Sequence, residues 1–228
     1  GCTGSQVITQ ANSEKLVTDV EFSRLQAANI GKCPERIVAG DLKFWKSAVI
    51  LANNCVAAKN WNQVDSIGQK LSENFPHSPW GFYYSSLVAE HQSDTSRALW
   101  LLEKAQQLDK SIALLPYQKG RVLLKISDYE NARKEFVQAL RLDDHLPDAH
   151  LYLGQFALRD QNYKLAEMYF QGALRYQAFN HDALFGSAQC KVQLGDVKMA
   201  LDYAERLISA NKKDLEVRLF KAFVLESY

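Results

Sequence analysis

The chain repeats one pattern of small and large residues every 34 positions, without a gap, from residue 45 to residue 214. Five consecutive blocks carry the pattern: 45–78, 79–112, 113–146, 147–180 and 181–214. A fixed period of this length is typical of proteins that stack copies of one supersecondary unit. Such a chain builds its core as a row of contacts between neighbouring copies.

Three positions within each block predict a pair of helices. Position 8 is always a small residue: Ala52, Ser86, Gly120, Gly154 and Ala188. Position 20 is small or β-branched: Val64, Ala98, Ala132, Ala166 and Ala200. Position 16 is always Asn or Asp, whose side-chain oxygen accepts the free amide protons at a helix start: Asn60, Asp94, Asp128, Asn162 and Asp196. We therefore predict that each block is a helix, a tight turn and a second, capped helix, with small residues where the two helices touch.

These features resemble the tetratricopeptide repeat family, whose unit is a 34-residue pair of antiparallel helices. The likeness is strongest in block 147–180, where the residues that match the family pattern are Leu153, Gly154, Tyr163, Ala166, Phe170 and Ala173. The resemblance implies an all-α fold, a right-handed superhelical solenoid of tetratricopeptide helix pairs. Residues 45–228 would form this superhelix and end in an unpaired helix at 215–228.

Four residues depart from the family pattern. His150 occupies a position where a large apolar residue is usual, and Gly68 replaces the aromatic residue of the second helix in block 45–78. Val64 and Leu71 stand in the same block where the family has alanines. We therefore expect the packing of the first block to differ from that of the others.

The resemblance also implies a binding groove, because in this family the first helices of successive repeats line a concave surface. Carried over position by position, the partner-binding residues would be Asn53, Trp80, Tyr83, Tyr84, Leu87, Tyr117, Arg121, Leu151, Tyr152, Gln155, Arg159, Phe185 and Gln189. Tyrosine, tryptophan and arginine contribute most of the binding energy in protein interfaces. We expect a protein or peptide segment as the partner. Tyr83 and Tyr84 are adjacent on one helix, so at least one of them is expected to be core.

Composition and motifs argue against other functions. The formal net charge is +1, with 27 basic and 26 acidic residues, which offers no electrostatic footprint for nucleic acid. The sequence contains no phosphate-binding glycine loop, nucleophile elbow or helical His-Glu zinc motif, and no paired Cys/His spacing for a metal. We therefore expect a non-enzymatic protein without a metal or cofactor.

The amino-terminal residues resemble the processing site of bacterial lipoproteins. Cys2 follows a small residue and precedes small polar ones, and residues 3–13 form a polar run that suits a flexible tether. The resemblance implies a lipid anchor on Cys2 and a location in the bacterial cell envelope, facing the periplasm. The alternative is an ordinary cysteine and a cytoplasmic protein.

The other cysteines leave one question open. Cys33 and Cys55 could form a bridge, but a helix running from residue 34 to residue 58 would separate them by about 30 Å. Only a loop folding back over residues 31–40 could join them. Cys190, on a predicted helix, is expected to be a small buried residue.

The two ends of the chain differ from the repeats. Residues 1–44 are predicted to form the tether and an N-terminal helical cap, with one helix over residues 13–29. Residues 215–228 match the first helix of a sixth block and are apolar around most of their circumference. A terminal helix of a solenoid needs a polar outer face. We therefore expect a continuation of the chain, or a contact made through this helix.

These observations support one leading hypothesis and two alternatives. The leading one is an envelope scaffold that assists assembly of a pilus, a secretin or a polysaccharide exporter. The alternatives are a cytosolic tetratricopeptide adaptor or regulator, and the binding part of a longer protein that continues past the C-terminus.

Overall fold

The computed structural model describes residues 32–33 and 45–227, and the described residues contain eleven α-helices. They are α1 (Trp45–Ala57), α2 (Trp61–Asn74), α3 (Trp80–His91), α4 (Thr95–Leu108), α5 (Leu114–Lys125), α6 (Tyr129–Leu142), α7 (Pro147–Arg159), α8 (Tyr163–Tyr176), α9 (His181–Gln193), α10 (Val197–Ala210) and α11 (Leu215–Ser227). The helices follow one another in sequential pairs, which confirms the predicted all-α fold. The lipidation site at Cys2, the predicted tether at 3–13, the helix at 13–29 and the rest of the cap before residue 45 lie outside the described residues, apart from 32–33.

The helices belong to two compact units, Gly1–Lys110 and Ser111–Tyr228. The first unit contains α1 to α4, and the second contains α5 to α11. Within residues 45–227, no helix combines the length and the hydropathy that a bilayer crossing requires.

All five predicted caps are present at the starts of the second helices. In each case the side-chain oxygen at position 16 accepts the backbone N–H of the residue three positions later. For Asp94, the distance to the amide nitrogen of Arg97 is 3.0 Å. These bonds satisfy amide groups that have no partner within the helix, and each such cap contributes about 1 kcal/mol.

The turn before each cap has a conformation that the sequence did not reveal. The residue at position 15 has a positive φ in every block: Lys59 57°, Ser93 63°, Ser127 61°, Gln161 58° and Gly195 79°. In each turn the amide of the cap residue also bonds the carbonyl oxygen five residues earlier, as from Asn60 to Cys55 at 2.9 Å. This is the left-handed closure that ends many helices. Glycine usually signals it, but only the last turn has glycine.

The small residues lie where the helices touch, as predicted. All five residues at position 20 have no exposed surface. In α7, a Cβ atom placed on Gly154 would lie 2.6 Å from the Phe170 ring on α8. A Cβ on Gly186 of α9 would also overlap that ring. The Phe170 side chain therefore fills a space that exists only because two neighbouring helices carry glycine.

We expect Gly154→Leu to lower the free energy of unfolding by about 1–3 kcal/mol or more, because the new side chain overpacks the contact with Phe170. Urea denaturation followed by circular dichroism measures the change. The control is Gln155→Leu, which adds the same side chain at the next, exposed position. Equal midpoints for the two variants would contradict the packing argument.

A glycine near the start of the second block compensates for the aromatic residue that the first block lacks. Gly68 lies on α2 and Gly81 on α3, and a Cβ on Gly81 would lie only 3.0 Å from the carbonyl oxygen of Gly68. The hydroxyl of Ser72 donates to the same carbonyl at 3.2 Å. Close approach of two backbones therefore replaces the aromatic contact, which is the difference in packing expected for this block.

His150 is accommodated in a similar way. It lies on α7 against Gly172 of α8, where a Cβ would overlap the imidazole. Its Nε2 donates to the carbonyl oxygen of Asp144 at 3.0 Å, because a carbonyl can only accept. Its Nδ1 is buried without a hydrogen bond. Burial is the main cause that lowers the pKa of His150.

The cysteines settle the question that the sequence left open. Cys33 and Cys55 form a disulfide with their Cα atoms 4.5 Å apart. The Cys55 end lies in α1, and its side chain is fully buried. Cys190 is free and buried, as predicted. Its burial raises the pKa of the thiol to about 12.

Candidate partner-binding surface

In the first unit, Tyr84 belongs to the core and not to a groove. Its side chain has no exposed surface, and its hydroxyl lies 2.8 Å from Oδ1 of Asn53 and 3.0 Å from the carbonyl oxygen of Val49. Burial is the main cause that raises the pKa of Tyr84. The assignment of Tyr84 to the groove was wrong, because its hydroxyl joins α3 to α1.

Tyr83 and Leu87 are also buried, at 7% and 8% exposure. The Tyr83 ring packs edge-on against Tyr84, with centroids 5.1 Å apart, and against Trp80 at 5.7 Å. The expectation that at least one of the two tyrosines is core is therefore met by both. Of the groove residues predicted in this unit, only the exposed Asn53 and the half-buried Trp80 offer surface to a partner.

In the second unit, the first helices of consecutive repeats contact one another side by side. The hydroxyl of Tyr117 on α5 donates to Oδ2 of Asp148 on α7 at 3.1 Å. Burial is the main cause that raises the pKa of Tyr117, and the negative charge of Asp148 adds to it. The rings of Phe185 on α9 and Phe220 on α11 pack edge-to-face, with centroids 5.3 Å apart. These contacts join side chains along one face of the unit.

Two further residues predicted for the groove contribute to the core of the second unit. Leu151 on α7 is buried, at 9% exposure, and therefore belongs to the core. Tyr152 stacks on Phe136 of α6, with centroids 4.8 Å apart and ring planes 17° apart. Phe136 itself is fully buried. Tyr152 therefore supports the packing of its neighbour as well as presenting a partly exposed edge.

Arg159 lies at the end of α7 and packs over an aromatic ring of the preceding repeat. Its guanidinium carbon is 4.5 Å from the ring centroid of Tyr129, at the start of α6, and 5.5 Å from that of Phe156. This is a cation–π arrangement. Next to it, Arg133 and Asp160 form an ion pair at 2.6 Å. Arg159 is therefore part of the contact between two repeats.

The remaining groove residues of the second unit form a row at block position 9. Arg121 is on α5, Gln155 on α7 and Gln189 on α9, one on each consecutive first helix, and all three are at least partly exposed. Nη1 of Arg121 donates to Oε1 of the buried Gln118 at 3.1 Å, which orients the guanidinium. Arginine donates hydrogen bonds, and glutamine both donates and accepts. We call these three residues the position-9 row.

Two residues of this face were absent from the predicted set. Asp148, at position 2, is the acceptor for Tyr117, and Phe220, at position 6, contacts Phe185. In the tetratricopeptide family, block positions 2, 5, 6, 9, 12 and 13 face the groove, so the register alone could have identified both residues.

One group of possible metal ligands is present among the described residues. Asp143, Asp144 and His145 lie together in the turn between α6 and α7, with ligand atoms within 4.8 Å of one another. All three residues are exposed, and His145 Nδ1 is 3.0 Å from each carboxylate. Hydrogen bonds from His145 lower the pKa of Asp143. A solvated histidine–aspartate pair accounts for the arrangement, and we assign no metal to it.

Comparison with a protein-family model identifies the repeat. The tetratricopeptide repeat model matches residues 117–178 and 157–214. U-box domain-containing protein 70 of Oryza sativa subsp. japonica is 28% identical over 112 residues, 49% of this chain and 14% of that protein. Anaphase-promoting complex subunit 3 of Schizosaccharomyces pombe is 26% identical over 159 residues, 70% of this chain and 24% of that protein. The chain therefore spans less than a quarter of the length of either relative.

Solved structures share the fold. PilF of Pseudomonas aeruginosa superposes with a TM-score of 0.68 at 17% identity, covering 96% of this chain and 93% of that one. YrrB, described as a tetratricopeptide repeat protein with an unusual peptide-binding site, superposes with a TM-score of 0.59 at 15% identity, covering 88% and 97%. Together with the five capped helix pairs, these matches show that the chain has the tetratricopeptide repeat fold.

Proposed function

We propose that the second unit binds an extended peptide segment of a partner protein along the position-9 row. The observation that carries the proposal is that three consecutive first helices each place a hydrogen-bonding side chain, Arg121, Gln155 or Gln189, at the same register position. Side chains at one register position on neighbouring helices point in similar directions. They can therefore act on one ligand together.

The spacing of such a row suits a peptide backbone. Packed helices lie about 8–10 Å apart, and an extended chain rises about 3.3 Å per residue. A bound peptide would then meet one member of the row about every three residues. Glutamine can hydrogen-bond both the N–H and the C=O of a peptide. The row would therefore bind the backbone of peptides with many different sequences.

The rings beside the row would supply selectivity. Tyr117, Tyr152 and Phe185 each keep part of their surface exposed next to the polar residues. Aromatic rings bury large areas at low cost in conformational entropy, so apolar side chains of the peptide would pack against them. The fold resembles that of YrrB, which has a peptide-binding site, and this likeness supports the proposal.

A peptide selection tests the proposal. Random dodecapeptides displayed on phage are selected on the 228-residue protein, and an enriched peptide is titrated by fluorescence anisotropy. Replacing Arg121, Gln155 and Gln189 together by Ala should weaken its binding at least about tenfold, since each lost hydrogen bond costs about 0.5–1.5 kcal/mol. We exclude Tyr152 from the test because its loss would also disturb the Phe136 core.

The control variant replaces Gln138 and Lys164 by Ala. Both residues are exposed on second helices, α6 and α8, away from the row. Binding by this variant should stay within about twofold of the original protein, as expected for surface changes outside a contact. If no peptide is enriched, or if both variants bind equally well, the row is not the binding site.

We also propose that the protein is a non-enzymatic scaffold that assists assembly of a bacterial envelope complex, such as a pilus, a secretin or a polysaccharide exporter. Two observations support an envelope location. Cys2 and the polar run that follows it resemble a lipoprotein anchor. The Cys33–Cys55 disulfide is typical of proteins in oxidising compartments, which include the bacterial periplasm.

We expect Cys2→Ser to move the protein from the membrane fraction to the soluble fraction. Each buried methylene of a lipid chain contributes about 0.8 kcal/mol to membrane binding, so loss of the acylated side chain removes the anchor. The gene is expressed with its chromosomal upstream sequence in a Gram-negative host, and the N-terminal peptide is analysed by mass spectrometry. Thr3→Ser is the matched control and should stay with membranes. An unmodified Cys2 in the original protein would favour the cytosolic adaptor instead.

A further inference from the structure

Helix α11 exposes several large apolar side chains. Leu215, Leu219, Phe223 and Leu225 are 65%, 61%, 62% and 58% exposed. No other described helix carries more than two exposed large apolar residues. Exposed apolar surface of this kind marks interaction sites in stable proteins.

The opposite face of α11 is firmly packed, so the exposed face has a fixed direction. Val217 and Val224 are fully buried. At the start of the helix, the Asp214 carboxylate accepts the N–H of Val217 at 3.2 Å and lies 2.7 Å from Nε2 of His181. On its side, Lys221 pairs with Glu205 of α10 at 3.0 Å. The exposed residues are therefore presented by an anchored helix.

The outermost residues of α11 have the spacing of a seam between two helices. Leu215, Leu219 and Ala222 follow one another at intervals of four and three residues, and Glu226, four residues further on, lies at the end of this seam. An average spacing of about 3.5 residues keeps a stripe facing a second helix along its length. Ala222, in the middle, has a small side chain that lets two helices approach closely. The seam therefore fits another helix of similar length.

Charges at the two ends of α11 indicate that the partner helix is α11 of a second copy, packed antiparallel. Lys212 and Lys213 precede the helix, Glu226 lies near its end, and all three are exposed. Suppose that a second copy packs antiparallel, with the two-fold axis at Leu219. Leu215 of one copy then faces Phe223 of the other, and Lys212 faces Glu226. Symmetry repeats each of these contacts once. A parallel arrangement would bring like charges together. Opposite charges therefore meet only in the antiparallel arrangement.

We propose that α11 is an isologous dimer interface, in which the seam of one copy packs antiparallel against the same seam of a second copy. In such an interface a residue on the two-fold axis contacts its own counterpart. Leu219 occupies that position here, and the lysine–glutamate pairs flank the seam at both ends. Dimerisation through α11 does not require peptide binding by the position-9 row.

Sedimentation equilibrium of the 228-residue protein tests the proposal. The protein should form dimers in a concentration-dependent way, and Leu219→Glu should raise the dimer dissociation constant at least about 100-fold because it buries two charges at the axis. Leu225→Glu is the control, since this residue is equally exposed but lies about a quarter-turn from the seam. Its dissociation constant should change less than about threefold. A monomer at all concentrations, or an equal loss in both variants, would overturn the proposal.

Cysteine cross-linking tests the direction of packing independently of affinity. In a Cys2→Ser background, Leu219→Cys should form a disulfide with its own copy on mild oxidation, because the two sulfur atoms meet at the axis. Leu215→Cys and Phe223→Cys should cross-link when mixed but not alone. The buried Cys190 and the bridged Cys33 and Cys55 leave no competing thiol. Self-linking of Leu215→Cys, or no cross-link at Leu219, would exclude the antiparallel seam.

Discussion

Replacing Phe170 by alanine is expected to lower the free energy of unfolding of the second unit by about 3–5 kcal/mol. The side chain is 1% exposed and packs against Gly154 and Gly186 on the two neighbouring first helices. Alanine would leave a cavity between three helices, and the glycines on its walls have no side chains with which to fill it. Urea denaturation followed by far-ultraviolet circular dichroism measures the loss.

Phe179→Ala is the matched control for this prediction. It removes the same side chain from the turn between α8 and α9, where Phe179 is 78% exposed. Its effect should stay within about 0.5 kcal/mol, as for other surface substitutions. A loss of similar size in the two variants, or a loss below about 1 kcal/mol for Phe170→Ala, would contradict the account of packing between the glycines.

The repeat, the helix pairs and the caps could be predicted because their causes are local. An asparagine or aspartate at position 16 needs only the amides three residues ahead of it to act as a cap. The small residues at positions 8 and 20 recur with the period, so five copies of the pattern support one another. A chain with a single copy would not have allowed the same inference.

Four of the five turns could not be predicted in detail because the residue at position 15 is not the glycine that usually signals their conformation. Lys59, Ser93, Ser127 and Gln161 adopt positive φ although each carries a side chain. The hydrogen bond from the cap amide to the carbonyl five residues earlier holds them there. The favourable cap and the packing of both helices therefore offset a strain of about 1–2 kcal/mol per turn.

The burial of the groove tyrosines depends on contacts between distant residues. Tyr84 is held by Val49 and Asn53 of the preceding repeat, 35 and 31 residues earlier in the chain. The position of Tyr84 in the repeat places it on the groove side of α3. That position does not predict how completely the neighbouring helix buries the ring. The same limit applies to Tyr152, whose partner Phe136 lies on the previous second helix.

Compensating residues were visible in the sequence but not recognisable as pairs. His150 and Gly68 depart from the family pattern, and each lies against a glycine on the neighbouring helix, Gly172 and Gly81 respectively. Each pair joins two helices of the stack, so the large or missing side chain on one helix is matched by the other. Reading departures at contacting positions together would have predicted both adjustments.

Removal of the Cys33–Cys55 disulfide is expected to lower the free energy of unfolding of the first unit by about 2–4 kcal/mol. The bridge joins residues 22 positions apart. Its loss raises the conformational entropy of the unfolded chain, because the loop is no longer closed. All four tryptophans, Trp45, Trp61, Trp80 and Trp100, belong to this unit, so tryptophan fluorescence during urea denaturation reports on it alone.

Two comparisons isolate the effect of the bridge. Cys33→Ser should show the loss, and a thiol reductant should produce a loss of similar size in the original protein. The same reductant should change nothing further in the variant, since Cys190 is already a free thiol. If the original protein keeps its midpoint under reduction, the disulfide does not stabilise the first unit.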